Sequence, residues 1–357
     1  MGSVFRAALE AHFGKNRAHP QHQVWLDYAA STNERGDAVV AKVREFRPDV
    51  RGLRWLDIGS GYGGVCIAAA KAGAQATGIE VDAALRALAE ANRSDHPGLA
   101  VRFEATSALD WPTLSTWGAF DVITCDNVIE HVPNPPVLLV HIARLLAPGG
   151  LVYLTVPNAF SLGQVAKECH YGRFGLSLLD PVDGQRYVQD ALGNESYDVS
   201  AYFRLAEYVA LLERYGLAWS MLNPHEAGDE EVRKIHAALA ALDETRSKAE
   251  IPAAVRGKVD AFVDAHLDWC RSELALHASL PPGQAREELA HRLAREWLQE
   301  LWYFLARPAA VQPTAEPPRA PAPAPLDELV RAVRGVRADM PSALRDLATR
   351  LRRRVRP

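Results

Sequence analysis

The sequence predicts an α/β protein with a doubly wound parallel sheet. Short apolar runs alternate with helical stretches from about residue 54 to residue 158, and the stretch "LDIGSGYGG" joins the first run to a helix. A last aromatic run, "LWYFLAR", follows a long helical region. Strands that alternate with helices form parallel sheets, because each helix crosses back over the sheet before the next strand begins.

Composition limits the class of protein. The 357 residues are 48% hydrophobic and 24% charged, which is enough for one large or two modest domains with a real core. A net charge of -4 gives no general attraction to nucleic acid or to an anionic membrane. The four cysteines contain no Cys-x-x-Cys pair, and the sequence has neither a signal-peptide core nor a long apolar run. We therefore expect a cytoplasmic protein.

The elements divide the chain into six parts. Residues 1–50 predict an N-terminal helical cap, and residues 51–226 predict the core of sheet and helices. The strand candidates in the core are "RWLDIG", "AQATGIEV", "LAVRFEA", "FDVITCD", "GLVYLTVPN" and "LAWSMLN". The helices between them are "VCIAAAKAG", "DAALRALAEANRS", "NPPVLLVHIARLLAPGG" and, after a loop-rich stretch, a helix at 200–216.

The C-terminal half begins with a helical insertion at residues 227–299, for which a lid and a dimer element are the two interpretations. The last core strand is expected at 300–307, a Pro/Ala linker at 308–325 and a basic amphipathic helical tail at 326–357. The tail suits peripheral membrane contact, pairing with another subunit or a satellite helix. The buried stripe of the insertion is predicted to contain Val255, Val259, Phe262, His266, Trp269 and Leu274.

The glycine loop leaves two kinds of ligand open. Gly59, Gly61 and Gly64 satisfy G-x-G-x-x-G between a strand and a helix, with Glu80 about twenty residues further on, as in a dinucleotide site. A nicotinamide-dependent oxidoreductase is thus one interpretation. Asp57 argues against it, because a carboxylate at the strand end would repel a pyrophosphate. A cationic ligand without phosphate, such as S-adenosylmethionine, would be attracted instead.

Four motifs in order strengthen the second interpretation: "LDIGSGYGG", "GIEVD", "FDVITCDNVIEHVPNP" and "LLAPGGLVYLTVPN". Together they resemble the class I S-adenosylmethionine-dependent methyltransferases, in particular the bacterial small-molecule or glycan type with a Glu-His-Val motif. The resemblance covers about residues 50–160. It implies a seven-stranded Rossmann-like methyltransferase sheet, with the helical insertion before the last strand.

The resemblance also implies cofactor-binding roles in the glycine loop. Gly59, Gly61 and Gly63 would let the backbone approach the methionine part of S-adenosylmethionine. Asp57 would anchor the amino group of the cofactor through the loop, and Glu80 would bind its ribose hydroxyls.

Further candidates surround the adenine and the strand ends. Where relatives often have Asp-Ala beside the adenine, this chain has Thr106-Ser107-Ala108, so Ser107 and Ala108 are the candidates for that contact. Asp126 ends the fourth strand and is expected to face the crevice where open α/β sheets bind ligands.

The implied reaction is methyl transfer to an oxygen or nitrogen of a small-molecule or sugar acceptor, in which positioning alone supplies roughly 7 to 11 kcal/mol. His131, in "IEHVPNP", is the first candidate for a general base, and His170, in "KECHYGRFG", is the second. Structural loop histidines are the plainer interpretation of both. No metal site is predicted, because no two histidines in this part of the chain have ligand spacing on one helix.

The acceptor pocket is expected to be mixed aromatic and polar, with contributions from Tyr171, Phe174, Tyr187 and Tyr202. A noncatalytic S-adenosylmethionine-binding protein or membrane-associated assembly protein stays open as a third function class, because of the basic tail.

Overall fold

The computed structural model of the protein describes residues 2–14, 22–193, 196–223 and 228–309. The tail expected at 326–357 and nearly all of the linker expected at 308–325 lie outside these residues. Among the helices described, none is both long enough and apolar enough to pass through a membrane.

One seven-stranded sheet organises the described residues, with the strand order β3-β2-β1-β4-β5-β7-β6. Strands β1 to β5 are parallel, and β7 runs antiparallel to both of its neighbours. The strand order reverses between β1 and β4, and open α/β sheets bind ligands at such a switch point. The predicted Rossmann-like methyltransferase sheet is confirmed. The strands are β1 (Arg54–Ile58), β2 (Gln75–Ile79), β3 (Val101–Glu104), β4 (Phe120–Asp126), β5 (Leu146–Pro157), β6 (Leu217–Met221) and β7 (Leu301–Pro308).

Helices cover both faces of this sheet. One of them, α9, falls in the stretch that the sequence analysis described as loop-rich. Its start is fixed by Asp180, whose side chain accepts hydrogen bonds from the next turn, and by Pro181 at the first helical position. The helices are α1 (Ser3–Phe13), α2 (His22–Ala30), α3 (Thr32–Phe46), α4 (Gly64–Lys71), α5 (Ala83–Ser94), α6 (Trp111–Leu114), α7 (Pro135–Leu145), α8 (Leu162–Ala166), α9 (Pro181–Leu192), α10 (Leu205–Arg214), α11 (Asp229–Lys248), α12 (Ala253–Ser279) and α13 (Gln284–Trp297).

The central strands are buried on both sides, as their apolar composition requires. On one face, β4 and β5 pack with α7 and α10 around Ile123, Leu139 and Tyr208. On the other face, β1 packs with α3 and α4 around Trp55 and Val43. This double cover leaves the carboxyl ends of the strands as the open edge of the sheet.

The N-terminal helices reach that edge through close packing of α3 on α4. A Cβ atom on Gly36 would collide with the backbone of Gly64, and a Cβ atom on Gly64 would collide with the backbone of Thr32. The two helices can therefore approach at backbone distance only because both positions are glycine. The contact holds the end of α2 and the start of α3 beside the glycine loop.

Three helices, α11 to α13, lie between β6 and β7 in the chain and form a second apolar core with α8 and α9. The buried stripe of α12 includes Val255, Val259 and Val263. The prediction that Phe262 lies on this stripe is wrong, because 47% of this residue is exposed. Val263 takes the buried position instead and continues the four-residue spacing from Val255 and Val259. A lid role or a dimer role for these helices stays a prediction.

Candidate active site

A cavity of about 620 Å³ lies at the carboxyl ends of β1, β2 and β4. Its volume is within the range of small-molecule sites. The glycine loop, the strand-end acids, four residues of the N-terminal helices and the loops after β3 and β4 contribute to its wall. The lining residues include Tyr28, Arg35, Asp57, Gly59, Gly61, Glu80, Asp82, Ser107, Ala108, Asp126, Asn127, Val128, His131 and Asp198.

Asp57 is the most deeply buried of these acids, with 3% of its side chain exposed. Its carboxylate accepts a hydrogen bond of 2.7 Å from the hydroxyl of Thr124 on the neighbouring strand β4, and a second from the thiol of Cys66. Burial raises the pKa of Asp57 to about 7 against the effect of the Thr124 bond, and the charge of Asp126 adds to the rise. A cation in the cavity would favour the ionised carboxylate.

Glu80 follows β2 and holds the glycine loop in place. Its Oε2 accepts a hydrogen bond of 3.0 Å from the backbone N–H of Gly61, and its Oε1 accepts one of 2.9 Å from that of Asp82. A carboxylate has about four acceptor positions, so about half of them stay available on the cavity side. Glu80 therefore fixes the loop and can still accept hydroxyl groups of a ligand.

The three predicted glycines differ in what they face. Gly59 has φ 67°, and a Cβ atom there would lie 2.5 Å from Cγ2 of Val128. Gly61 has φ 48° and faces open space in the cavity. Gly63, with φ 80°, is outside the cavity lining, and a Cβ atom there would lie 2.5 Å from the ring of Phe103. Gly63 thus serves the turn and the core packing.

Ser107, Ala108 and Asp126 all line the cavity, as their predicted roles require. The hydroxyl of Ser107 accepts a hydrogen bond of 3.1 Å from the N–H of Leu109. Burial raises the pKa of Asp126, while Thr155 and then Arg35 oppose the rise. The next residue, Asn127, is the one non-glycine among the described residues with positive φ, at 54°. Asparagine tolerates this left-handed conformation, which is common at functional sites.

His131 lies in a short 3₁₀ turn after β4 and lines the cavity with 31% of its side chain exposed. Its Nδ1 is 3.1 Å from the backbone oxygen of Asp198. The ring of His170 lies edge-on to it, with the two ring centroids 4.9 Å apart. The two predicted base candidates, 39 positions apart in the chain, are therefore neighbours.

His170 does not line the cavity but lies behind His131. Its Nδ1 is 2.6 Å from Oε1 of Glu168, and the thiol of Cys169 and the hydroxyl of Tyr202 lie within 3.3 Å of the same nitrogen. Burial opposes a charge on His170, but the hydrogen bonds with Cys169 and Glu168 raise its pKa overall. A histidine that retains its proton is a poor general base, so this arrangement favours His131 for that role.

The carboxylate of Glu130 lies close to both histidines. Glu130 was not among the predicted site residues. Its side chain is fully buried, and its Oε1 lies 3.6 Å from Nε2 of His131 and 3.9 Å from Nε2 of His170. Burial raises its pKa, and the two histidines oppose the rise. The "Glu-His" pair was visible in the sequence, but the contact of Glu130 with a distant segment was not: Ser200 donates a backbone hydrogen bond to the carbonyl of Glu130.

Arg35 and Tyr28 were also missed. Arg35 is the one Lys or Arg side chain among the described residues that line the cavity, and its guanidinium lies 3.6 Å from the centre of the Tyr28 ring. Its side chain donates to the backbone oxygen of Tyr28 and to the hydroxyl of Ser31. No motif in the helical cap distinguished these residues from a solvent-exposed helix face.

Of the aromatic residues expected in an acceptor pocket, two are near the site and two are not. Tyr202 and Tyr171 join the surroundings of His170, where the Tyr171 hydroxyl donates to the side chain of Asp198. Phe174 and Tyr187 do not line this cavity: both are buried in the core that the insertion forms with α8 and α9, and both border a second cavity beside α11. Their place in an acceptor pocket stays a prediction.

Comparison with known proteins decides the family. The family model described as "Methyltransferase domain" matches residues 31–219, which is more than half of the chain and includes every cavity residue described above except Tyr28. The chain belongs to this methyltransferase family. It is a class I S-adenosylmethionine-dependent methyltransferase, and a nicotinamide-dependent oxidoreductase is set aside.

The curated relatives are named as methyltransferases. The chain is 30% identical over 171 residues to a ubiquinone biosynthesis O-methyltransferase of Thiobacillus denitrificans, covering 48% of this chain and 67% of that protein. It is 36% identical over 126 residues to one of Xanthomonas oryzae pv. oryzae, covering 34% of this chain and 52% of that protein. The chain thus spans between about half and two thirds of the length of these relatives.

Solved structures are similar at a lower level. The YcgJ protein from Bacillus has 16% identity and a TM-score of 0.43, with 78% of this chain and all of that chain covered. The magnesium protoporphyrin IX methyltransferase of Synechocystis PCC 6803, solved with bound SAH, has 18% identity and a TM-score of 0.39, with 55% and 78% covered. Scores this low add nothing to the family assignment.

The cavity fits S-adenosylmethionine, the cofactor of this methyltransferase. The ligand has a positively charged end, and the cavity presents two buried carboxyl groups, Asp57 and Asp126, whose pKa values are raised because burial opposes their ionisation. A phosphate-bearing dinucleotide would add negative charge beside them. Glu80 has acceptor positions left for ribose hydroxyls.

Proposed function

We propose that this chain is an O-methyltransferase whose acceptor is a small molecule with a phenol-type hydroxyl. One observation carries the proposal: a single cavity joins the acidic strand ends, which suit the cofactor, to His131 and the buried Glu130 behind it. The curated relatives, which are O-methyltransferases by name, support an oxygen acceptor. Glycan and amine acceptors are the alternatives that experiment must separate.

The cofactor would be held by residues from four segments of the chain. Asp57 would take the amino group, Glu80 the ribose hydroxyls, and Ser107 with Ala108 the adenine. Arg35, the cation of the cavity wall, would pair with the carboxylate. When bound, S-adenosylmethionine supplies a methyl group on a sulfonium, which needs a nucleophile held in line rather than an activating group.

The protein's remaining task is to handle the proton of the acceptor. A phenol-type hydroxyl has a pKa near 10, like that of tyrosine, so a nearby imidazole can assist its ionisation. A sugar hydroxyl is far less acidic and would gain much less. We assign this task to the cluster of Glu130, His131 and His170, with His131 next to the acceptor because it alone of the three lines the cavity.

The test begins with binding and ends with product. Calorimetry should show one S-adenosylmethionine per full-length chain, and NADH should give no binding signal. Transfer of a deuterated methyl group is then measured by mass spectrometry against matched phenols, aromatic amines and sugars of similar size. We expect methylated phenols above the other two classes. Methylated amines or sugars alone would overturn the oxygen or phenol assignment, and absence of cofactor binding would overturn the proposed function.

A further inference from the structure

Three side chains from two distant loops converge on one point beside the cavity. Oε1 of Glu130 lies 3.6 Å from Nε2 of His131 and 3.9 Å from Nε2 of His170, and the three atoms all lie within 4.8 Å of one another. These separations are too long for direct hydrogen bonds. They are close to the edges of a coordination polyhedron, because two ligands about 2.0 to 2.2 Å from one ion lie somewhat more than 3 Å apart.

Glu130 gives independent support for a ligand at this point. Its side chain has 0% exposure, and within the described part of the chain neither carboxylate oxygen has a hydrogen-bond partner. A buried carboxylate is normally paired with a cation or saturated with hydrogen bonds, since its desolvation is otherwise uncompensated. The two imidazoles near Glu130 can carry a positive charge, but at 3.6 and 3.9 Å neither donates a hydrogen bond to it, so the burial of this carboxylate is only partly compensated.

Both histidines are oriented toward Glu130 through their other ring nitrogen. Nδ1 of His170 contacts the Glu168 carboxylate at 2.6 Å, and Nδ1 of His131 contacts the backbone oxygen of Asp198 at 3.1 Å. Both partners are acceptors, so Nδ1 is the nitrogen that keeps its hydrogen in each ring, and a metal ion at Nε2 of His170 would displace the second proton that this ring otherwise retains. Metal-binding histidines are held in this way, by a carboxylate or a carbonyl on the far nitrogen.

We propose that Glu130, His131 and His170 form a binding site for a divalent metal ion, with Zn²⁺ as the ion whose ligand preference they fit. Two imidazoles and one carboxylate with one position left open are a known zinc arrangement. The sequence did not predict this site because the two histidines lie in separate loops, 39 positions apart, and not at ligand spacing on one helix. A second possible group of ligands is less suitable, because its side chains already form hydrogen bonds with one another. It consists of Glu168, Cys169 and His170.

The site would also explain how the acceptor is held. His131 lines the cavity, so the open position of the ion would face it. A hydroxyl oxygen bound there would lose its proton to solvent more readily, and His131 would then act as a ligand rather than as a base. This part of the inference rests on the proposed function, whereas zinc binding itself does not.

Equilibrium dialysis of the full-length chain, first stripped with a chelator, tests the site with Zn²⁺ alone. We expect one zinc per chain that is lost in Glu130→Gln and His170→Gln, each with affinity at least about a hundredfold weaker. His236→Gln removes an exposed histidine on α11 and should leave this zinc in place. Equal binding by wild type and both site variants, or no bound zinc, would overturn the proposal.

A second variant separates ligation from folding. Glu168→Gln leaves the three ligands intact but removes the carboxylate on Nδ1 of His170, so zinc affinity should fall about 10- to 100-fold. Co²⁺ in place of zinc should give visible absorption bands that Glu130→Gln abolishes. Thermal unfolding of each metal-free variant checks the fold, and added zinc should raise the Tm of the wild type but not of Glu130→Gln. An unchanged cobalt spectrum in Glu130→Gln contradicts the site.

The two proposals fail in different ways. Zinc binding is measured without S-adenosylmethionine, and cofactor binding is measured after chelation. Loss of methyl transfer with intact zinc binding would count against the proposed function alone. Methyl transfer that persists in chain without bound metal, together with no zinc uptake, would overturn the metal site alone.

Discussion

The two ends of the cavity are built in different ways. At the cofactor end, Asp57 lies near the end of β1 and Glu80 follows the adjacent strand β2. Each carboxylate accepts hydrogen bonds from its own surroundings, Asp57 from Thr124 and Glu80 from the glycine loop. At the acceptor end, Glu130 has no such partner among the described residues, and the histidines around it come from separate loops. The acids of the cofactor end thus have hydrogen bonds in the absence of a ligand, whereas the buried carboxylate of the acceptor end needs a proton or a cation to offset its burial.

The acceptor end should give the largest effect. His131→Ala should lower kcat by about 10² to 10⁴, whether His131 acts as a base or as a metal ligand, because both roles act on the acceptor proton. Affinity for S-adenosylmethionine, measured by calorimetry, should change little, since within the described residues no hydrogen bond joins His131 to the glycine loop. His236→Ala on the insertion is the matched control. A loss of cofactor affinity equal to the loss of kcat would show that the two ends are not separate.

At the cofactor end, Glu80→Ala should affect the affinity for S-adenosylmethionine rather than the acceptor proton. Its charge-assisted hydrogen bonds from Gly61 and Asp82, with those expected to the ribose, are worth about 1.5 to 3 kcal/mol each, so binding of S-adenosylmethionine should weaken at least about tenfold. Glu90→Ala, on the exposed side of α5, serves as the control. Undiminished cofactor affinity in a folded Glu80→Ala variant contradicts the role given to this residue.

The raised pKa of Asp57 predicts a pH effect of moderate size. Its pKa is about 7 in the folded chain because of burial, against an ordinary value of 3.8, so the carboxyl is mostly protonated below pH 7. Affinity for the cationic cofactor should rise about tenfold from pH 6 to pH 8 as Asp57 ionises. Calorimetry at several pH values should show this slope in the wild type and a flatter one in Asp57→Asn.

The same shift makes a prediction for the cofactor-free protein. A carboxyl whose folded pKa is raised contributes stability below its unfolded value that is lost as pH rises through about 7. Asp57→Asn should therefore reduce the fall in unfolding free energy between pH 5 and pH 8, measured by urea titration. A fall as steep in the variant as in the wild type would place the titrating group elsewhere.

The smallest effect is expected from the C-terminal residues. Strand β7 ends at Pro308, and the next backbone N–H, of Ala309, donates to the carbonyl of Gly216. A chain that ends after Ala309 keeps the whole sheet and should retain cofactor affinity and kcat within about twofold for an acceptor in solution. The cytoplasmic location and the contact of the tail with a membrane or another subunit stay predictions. Loss of cofactor binding on truncation would place the tail in the catalytic core.

The sequence could predict the cofactor end of the cavity but not the acceptor end. The strand-end acids lie in contiguous motifs, so a carboxylate at the end of β1 and another after β2 were certain to meet once the sheet was parallel. The site of Glu130 could not be predicted in this way. It depends on the rings of His131 and His170 meeting, and on the backbone hydrogen bond from Ser200 to Glu130, across sequence separations that no local periodicity records.

The position of β7 has a consequence for how the chain folds. This strand lies between β5 and β6, yet it is made last, after residues 222–300 have formed the insertion. During synthesis the edge of β5, whose residues Leu151–Pro157 are all buried in the finished sheet, has no neighbour on that side until residue 301 has emerged from the ribosome. Closing so long a loop is slow, and an apolar strand edge left open meanwhile can pair with another chain. Nascent chains that pause before residue 301 should therefore be the species most dependent on chaperones.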